Sequence, residues 1–195
     1  KIRWERLDQN SLDLKIYAET NLSLIIEEIK KIKPSFAIID SIQAINNNEM
    51  ESATGSVSQV RSCSSELQNL AKENNIALLI IGHVTKEGAL AGPKTLEHLV
   101  DVVLNFEGDN ISSHRLLRSV KNRFGSTFEI GIFEMLENGL KEVGNPSSIF
   151  TNRENISGVT TTITNEGSRP FAVDIQALVN KTFYNNPRRT TTGIS

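Results

Sequence analysis

Hydrophobic positions along this chain fall into two periods. Leu22, Ile25, Ile26 and Ile29 recur at helical spacing behind Glu19-Thr20-Asn21, which offers good N-cap chemistry, and Pro34 forbids continuation. An apolar segment at residues 14–18 precedes this helix. Phe36-Ala37-Ile38-Ile39 is then an uninterrupted apolar run ending on Asp40, the pattern of a strand covered on both faces. After the polar loop Asn46-Asn47-Asn48-Glu49, Gly55-Ser56 opens a second helix with Val57, Val60, Leu67 and Leu70 on one side. A second doubly buried strand is expected over residues 76–81, ending at Gly82-His83. Strand, helix and strand at these spacings predict a parallel sheet with right-handed crossovers, and so an α/β fold.

Downstream the pattern changes. Residues 100–106 and 115–120 read as strands separated by the turn-rich Glu107-Gly108-Asp109-Asn110. Residues 129–135 and 140–143 flank Glu137-Asn138-Gly139, where Asn-Gly is a strong hairpin signal. The sheet is therefore expected to begin parallel and end in antiparallel strands. Asn145-Pro146-Ser147-Ser148 reads as a linker. Beyond it, a Thr- and Val-rich stretch at 157–164, a turn at Asn165-Glu166-Gly167-Ser168 and a returning strand at 169–179 form a hairpin of different character. The expected division is residues 1–145 for the first domain and 146–195 for the beginning of another.

Composition narrows the class. With 195 residues, 38% hydrophobic and 23% charged, the chain can bury a real core. A net charge of -2 carries no global signature of nucleic-acid binding, so any such surface is local or shared between subunits. The single cysteine, Cys63, excludes an intrachain disulfide framework and a Cys-based zinc site within this chain, and its setting reads as a small packing residue in mid-helix. No apolar run approaches the roughly 18 residues that span a membrane, so no membrane contact is expected and the expected compartment is the cytoplasm. Lys1 is not Met and residues 190–195 close no obvious element, so the chain is expected to be a piece of a longer protein.

The densest chemistry lies in Lys121-Asn122-Arg123-Phe124-Gly125. On extended backbone, residues i and i+2 share a face, so Lys121 and Arg123 project together as a cationic fork with Asn122 turned away. Such a fork matches a phosphate chain, which Arg meets in bidentate fashion and Lys as a point charge. An isolated K-x-R is more often a solvated strand end, because charged residues are mostly surface, and it is the rest of the chain that favours the fork. Ligands of open parallel α/β sheets bind at the carboxyl ends of the strands, which here carry Asp40-Ser41 and His83-Val84-Thr85-Lys86. An aspartate after four apolar residues is the arrangement that holds Mg²⁺ beside phosphates in P-loop ATPases, although such an Asp also caps turns. His83 is a candidate for sensing a γ-phosphate or orienting water; an ordinary hydrogen-bonded role stays open. Gly88-Ala89-Leu90-Ala91-Gly92-Pro93-Lys94-Thr95 imitates G-x-x-x-x-G-K-[ST], but Pro93 stands where the second glycine belongs. Proline lacks the N–H of a phosphate nest, so this is no P-loop. It reads as a loop that either touches a polyanion through Lys86 and Lys94 or is plain surface.

Several stretches together resemble the bacterial RadA (Sms) family of DNA repair ATPases. They are Ile39-Asp40-Ser41-Ile42-Gln43, Gly55-Ser56-Val57-Ser58-Gln59-Val60-Arg61, Gly82-His83-Val84-Thr85-Lys86-Glu87-Gly88, Ala91-Gly92-Pro93-Lys94, Leu96-Glu97-His98, Lys121-Asn122-Arg123-Phe124-Gly125, Asn145-Pro146-Ser147 and Asn186-Pro187-Arg188-Arg189. The resemblance implies a RecA-like P-loop NTPase core, from the Walker B strand to the Lys121–Gly125 motif, followed by the start of an α+β Lon-protease-like domain without proteolytic function. It implies a homo-oligomeric, hexameric ring that hydrolyses ATP, translocates on single-stranded DNA, promotes branch migration of recombination intermediates and works alongside a recombinase. On that resemblance Asp40 is the Walker B aspartate and Mg²⁺ ligand, with Ser41 beside it at the nucleotide. Lys121 and Arg123 reach the neighbouring subunit's ATP. Lys86 and Lys94 belong to a DNA-binding loop whose base is His83.

The departures from the family pattern are large. Its four-cysteine zinc finger is absent, so zinc is expected only in a segment this chain lacks, and the P-loop and catalytic glutamate are expected upstream of Lys1. Alone, the chain is expected not to hydrolyse ATP. Two rival readings stay open: a RecA-like regulatory ATPase that ignores DNA, and a non-catalytic interaction domain whose fork binds partner carboxylates. A Lon-type peptidase is disfavoured, since no Ser/Lys dyad can be assigned within 158–195.

Overall fold

Helix α1 (Leu22–Ile32) begins where Asn21 accepts a hydrogen bond from the Ser23 N–H, and it ends on Lys33, whose φ of 51° takes the left-handed turn before Pro34. Strand β1 (Phe36–Asp40) follows, then a 3₁₀ turn (Ile42–Ala44), helix α2 (Val57–Glu73) capped by Ser56, and strand β2 (Ala77–Ile81). A short helix α3 (Lys94–Glu97) leads to strands β3 (Val102–Glu107), β4 (His114–Asn122), β5 (Ile130–Leu136) and β6 (Gly139–Glu142). The chain closes with helix α4 (Ser147–Phe150) and strands β7 (Val159–Glu166) and β8 (Arg169–Gln176). The computed structural model describes residues 14–83, 94–108, 113–145, 147–151, 156–166, 168–181, 183, 186 and 188–192.

β1 and β2 pair in parallel from Phe36↔Ala77 to Asp40↔Ile81, with α2 as the connection, so the βαβ unit expected from the sequence is present. β3 to β6 form a four-stranded antiparallel sheet in sequence order. Among the described residues these two sheets are hydrogen-bonded separately, where the sequence reading had one continuous sheet. The 94–101 segment joins them by packing instead: Leu96 lies against the α1/α2 core, and the Gln68 side chain of α2 donates to the Leu99 carbonyl.

The core gathers Leu22 and Ile25 of α1, Ile39 of β1, Ile42 and Ile45 beyond it, and Val60, Cys63, Leu67 and Leu70 of α2. Val57, placed on this face by periodicity, is exposed, and Cys63 takes the buried position instead. Burial holds the Cys63 thiol above its ordinary pKa, and the Glu66 carboxylate acts in the same direction.

One expectation fails here. Among the described residues β1 and β2 are covered on one face: Phe36 and Ile38 are each 53% exposed and Leu79 is 40% exposed. The physical reason is that α1 and α2 both serve the core formed around Ile39, so no described element covers the opposite face. The apolar run reports what the strand can bury, and the described residues bury half of it.

The β5–β6 hairpin turns on Glu137-Asn138, with Leu136 paired to Gly139, whose φ of 120° suits glycine. β7 and β8 form the expected second hairpin. Phe171 of β8 joins Ile130 and Ile132 of β5 in a second apolar cluster, and Ser168 donates its N–H to the Phe128 carbonyl at 3.1 Å. The hairpin beyond Pro146 thus packs on the antiparallel sheet.

Candidate nucleotide site

Asp40 is the last residue of β1 and stands opposite Ile81 in the parallel register. Alternation places it on the same open face as Phe36 and Ile38, and it is exposed. No side chain pairs with its carboxylate among the described residues. Its peptide bond to Ser41 is cis. Two residues beyond Ile81, His83 is likewise exposed, and its main-chain carbonyl accepts a hydrogen bond from Gln43 Nε2 at 3.1 Å. Asp40 and His83 therefore sit on one sheet edge, at the ends of adjacent parallel strands.

The loop that follows Asp40 is held from below. Gln59 of α2 is fully buried, and its Nε2 donates to Asn46 Oδ1 at 3.2 Å, to the Asn47 carbonyl at 3.1 Å and to the Ser52 carbonyl at 3.0 Å. Its Oε1 accepts the Asn47 N–H at 3.0 Å. Asn47, itself buried, donates through Nδ2 to Glu66 Oε1 at 2.8 Å. What reads in sequence as a polar loop is anchored to α2.

The cationic fork lies elsewhere. A bulge between Val103 and Leu104 leaves Val120 outside the β3–β4 register, with Lys121 paired to Val103 and Ser119 to Leu104. Bulges of this kind re-aim the residues beyond them. Lys121 Nζ donates to the main-chain carbonyls of Glu97 at 2.6 Å and Val100 at 2.8 Å. Arg123 Nη1 pairs with Asp101 Oδ1 at 2.8 Å, and the Arg123 N–H donates to the Asp101 carbonyl at 3.1 Å. Both cations thus turn toward residues 97–101, while Asn122 bonds locally to the Phe124 N–H and the Ser126 carbonyl. Phe124 and Phe128 stand exposed on either side of Gly125.

The two prongs differ in kind. Lys121 is half-buried and holds the 97–101 turn against β4. Arg123 is 53% exposed and its only ion-pair partner among the described residues, Asp101, is 40% exposed. An exposed ion pair is worth roughly 0–1 kcal/mol, so Arg123 can exchange Asp101 for a stronger anion at small cost. Asp101→Asn is accordingly expected to change stability by less than about 1 kcal/mol, measured as a shift of the urea midpoint at constant slope. A loss several times larger would show that the pair is structural.

No hydrogen bond or ion pair joins Asp40 or His83 to Lys121 or Arg123 among the described residues. Lys86 lies outside those residues, as does the Gly88–Pro93 part of the P-loop-like stretch; Lys94 opens α3. Asp101 had no sequence signal, and Gln43 stood only within a stretch resembling the family, its contact unannounced, because their partners lie 22 and 40 residues away in chain. The described residues hold no group of three or more His, Cys, Asp or Glu side chains able to bind a metal. A single unpaired carboxylate does fit Mg²⁺, which is bound through one or two carboxylates while phosphates and waters complete its shell.

The architecture and its edge define an α/β protein with a βαβ unit that presents an acid and a histidine at adjacent strand ends, continued by antiparallel strands. No family model matches the chain. Curated relatives do. The DNA repair protein RadA of Listeria monocytogenes is 54% identical over 196 residues, covering 100% of this chain and 43% of the relative. RadA of Synechocystis is 57% identical over 184 residues, covering 93% and 36%, and RadA of Streptococcus pneumoniae is 53% identical over 196 residues, covering 100% and 47%. The chain belongs to the bacterial RadA family and spans less than half the length of these relatives. Two solved structures overlay more loosely, each with a TM-score of 0.43 and each covering 63% of this chain: a KaiC-like protein from Pyrococcus horikoshii OT3, at 19% identity over 55% of its length, and the RadB recombinase, at 20% identity over 59%. No helix among the described residues is long and apolar enough to cross a membrane.

Proposed function

We propose that this chain is part of a DNA-dependent ATPase acting in recombinational DNA repair, in which it supplies the Mg²⁺-binding acid, the strand end that leads toward DNA and a cation offered to a neighbouring subunit. The observation that carries this reading is the identity to RadA relatives along the whole chain, DNA repair proteins by name. The unpaired, exposed carboxylate of Asp40 beside His83 supports the nucleotide part of it. The proposed domain division remains residues 1–145 and 146–195, the first a RecA-like core and the second the start of a Lon-like domain.

Phosphoryl transfer spreads negative charge over the oxygens of the transferred group, and a bound magnesium nucleotide supplies that group together with the ion that screens it. Asp40 holds the ion; Ser41 lies next to it in chain. Arg123 of one protomer leaves Asp101 and stabilises charge developing at its neighbour's site, with Lys121 fixing the turn from which Arg123 departs. Placing this cation on a second subunit makes turnover depend on ring assembly. Single-stranded DNA is engaged by Lys86 and Lys94, beyond His83, and hydrolysis drives translocation and branch migration in a hexameric ring.

Titrating single-stranded DNA into an ATPase assay on a protein of full family length tests this reading. Turnover is expected to rise with DNA. Turnover indifferent to DNA would favour a regulatory ATPase, and failure to bind nucleotide at all would favour an interaction domain. Lys86→Ala is expected to weaken single-stranded DNA binding and to make the slope of log K against log salt shallower by roughly 0.7, the value for one lost phosphate contact on a single strand. An unaltered slope would remove Lys86 from the interface.

A further inference from the structure

Gln43 ties together the two strand ends on which the proposed chemistry rests. It sits in the 3₁₀ turn three residues past Asp40, and its Nε2 donates to the His83 carbonyl at 3.1 Å. The same amide lies over Gly82, where an added Cβ would meet Nε2 at 3.5 Å and Oε1 at 3.8 Å. The parallel ladder ends at Asp40↔Ile81. Past that point, no other hydrogen bond among the described residues links the turn after β1 to Gly82 or His83. The amide is also only half used: Oε1 is buried and has no partner among the described residues, so it stands open to an N–H or O–H donor. A contact that is single, directional and partly unsatisfied is suited to have two arrangements, because a small shift of either strand end changes whether the amide is satisfied.

We propose that Gln43 is a positioning residue that couples the Asp40 end of β1 to the His83 end of β2, and through them nucleotide occupancy to DNA affinity. The inference rests on the reading that the protein binds nucleotide at Asp40 and binds single-stranded DNA, and it names the link between those two events. Coupling of this kind is reciprocal, so it is visible in binding alone, without turnover.

The experiment measures binding of a labelled oligothymidylate by fluorescence anisotropy, with and without a non-hydrolysable ATP analogue, in a protein of full family length. Gln43→Met keeps the side-chain length and removes both donor and acceptor. Gln43→Glu removes the donor and sets a carboxylate against the His83 carbonyl. In the unsubstituted protein the analogue is expected to shift the DNA Kd about fivefold or more, the lower range of ordinary allosteric coupling. In both variants that shift is expected to fall below about twofold while the analogue still binds in the absence of DNA. A full-sized shift in Gln43→Met would overturn the inference. So would parallel loss of nucleotide binding, DNA binding and melting temperature, which would make Gln43 a structural residue. If the unsubstituted protein shows no linkage, it is the underlying reading of a DNA-coupled ATPase that falls.

Discussion

Arg123→Ala in a protein of full family length is expected to abolish DNA-stimulated ATP hydrolysis while ATP binding survives. The magnitude follows from the proposed role: an arginine supplied in trans is worth on the order of 10³–10⁵ in rate. The selectivity follows from the geometry. Arg123 is exposed and, among the described residues, its guanidinium is held only by an exposed aspartate, so its removal leaves the fold close to intact. The contrast with Lys121 sharpens the expectation. Removing the Lys121 ammonium leaves the Glu97 and Val100 carbonyls without their donor, so that variant loses structure as well as charge. The measurement is steady-state turnover with and without DNA, beside equilibrium binding of a fluorescent ATP analogue. Turnover unchanged in Arg123→Ala would remove the residue from catalysis.

Gln59→Leu has the second largest expected effect, and it falls on stability. The substitution keeps approximate volume but deletes an amide that donates to three oxygens and accepts the Asn47 N–H inside the protein. Leaving buried polar groups unpaired costs about 1–3 kcal/mol each, and some regain water when the loop loosens, so a net loss of about 3 kcal/mol is expected. Urea denaturation of the full-length protein, followed by circular dichroism, reads this as a lower midpoint. A change under about 0.5 kcal/mol would mean that the loop after β1 is not fixed by α2. Because this loop carries the chain away from Asp40, a weakened nucleotide affinity is expected to accompany the lost stability.

Local chemistry was legible in the sequence wherever the signal and its cause lay within one turn of chain. Asn21 and Ser56 cap their helices as their residue types dictate, Pro34 stops α1, and the alternation of strand, helix and strand gave the parallel pair. The hairpin at Glu137-Asn138-Gly139 was legible for the same reason, since glycine there takes a positive φ. What the sequence hid was long-range. Nothing near Gln59 announces that a polar residue at a helix position would be fully buried, because its partners come from the loop at 46–52. The environment of the fork was hidden as well. Lys121 and Arg123 are conspicuous in sequence, but the carbonyls of 97–100 and the carboxylate of Asp101 meet them only through the β3–β4 register and its bulge. The open face of β1 and β2 shows the opposite limit, since an apolar run states a capacity for burial and leaves open which elements fulfil it.

The central claim is that Asp40 and Arg123 serve one site from two protomers. Mixing is the direct measurement. Asp40→Asn and Arg123→Ala proteins of full family length are each inactive on this account, and in the proposed ring a mixed assembly contains interfaces with an intact Asp40 facing an intact Arg123. Reassembling an equimolar mixture is therefore predicted to restore DNA-stimulated ATP hydrolysis that neither variant shows alone. A mixture as inactive as its two components, under conditions where mixed rings are demonstrated by mass, would contradict it.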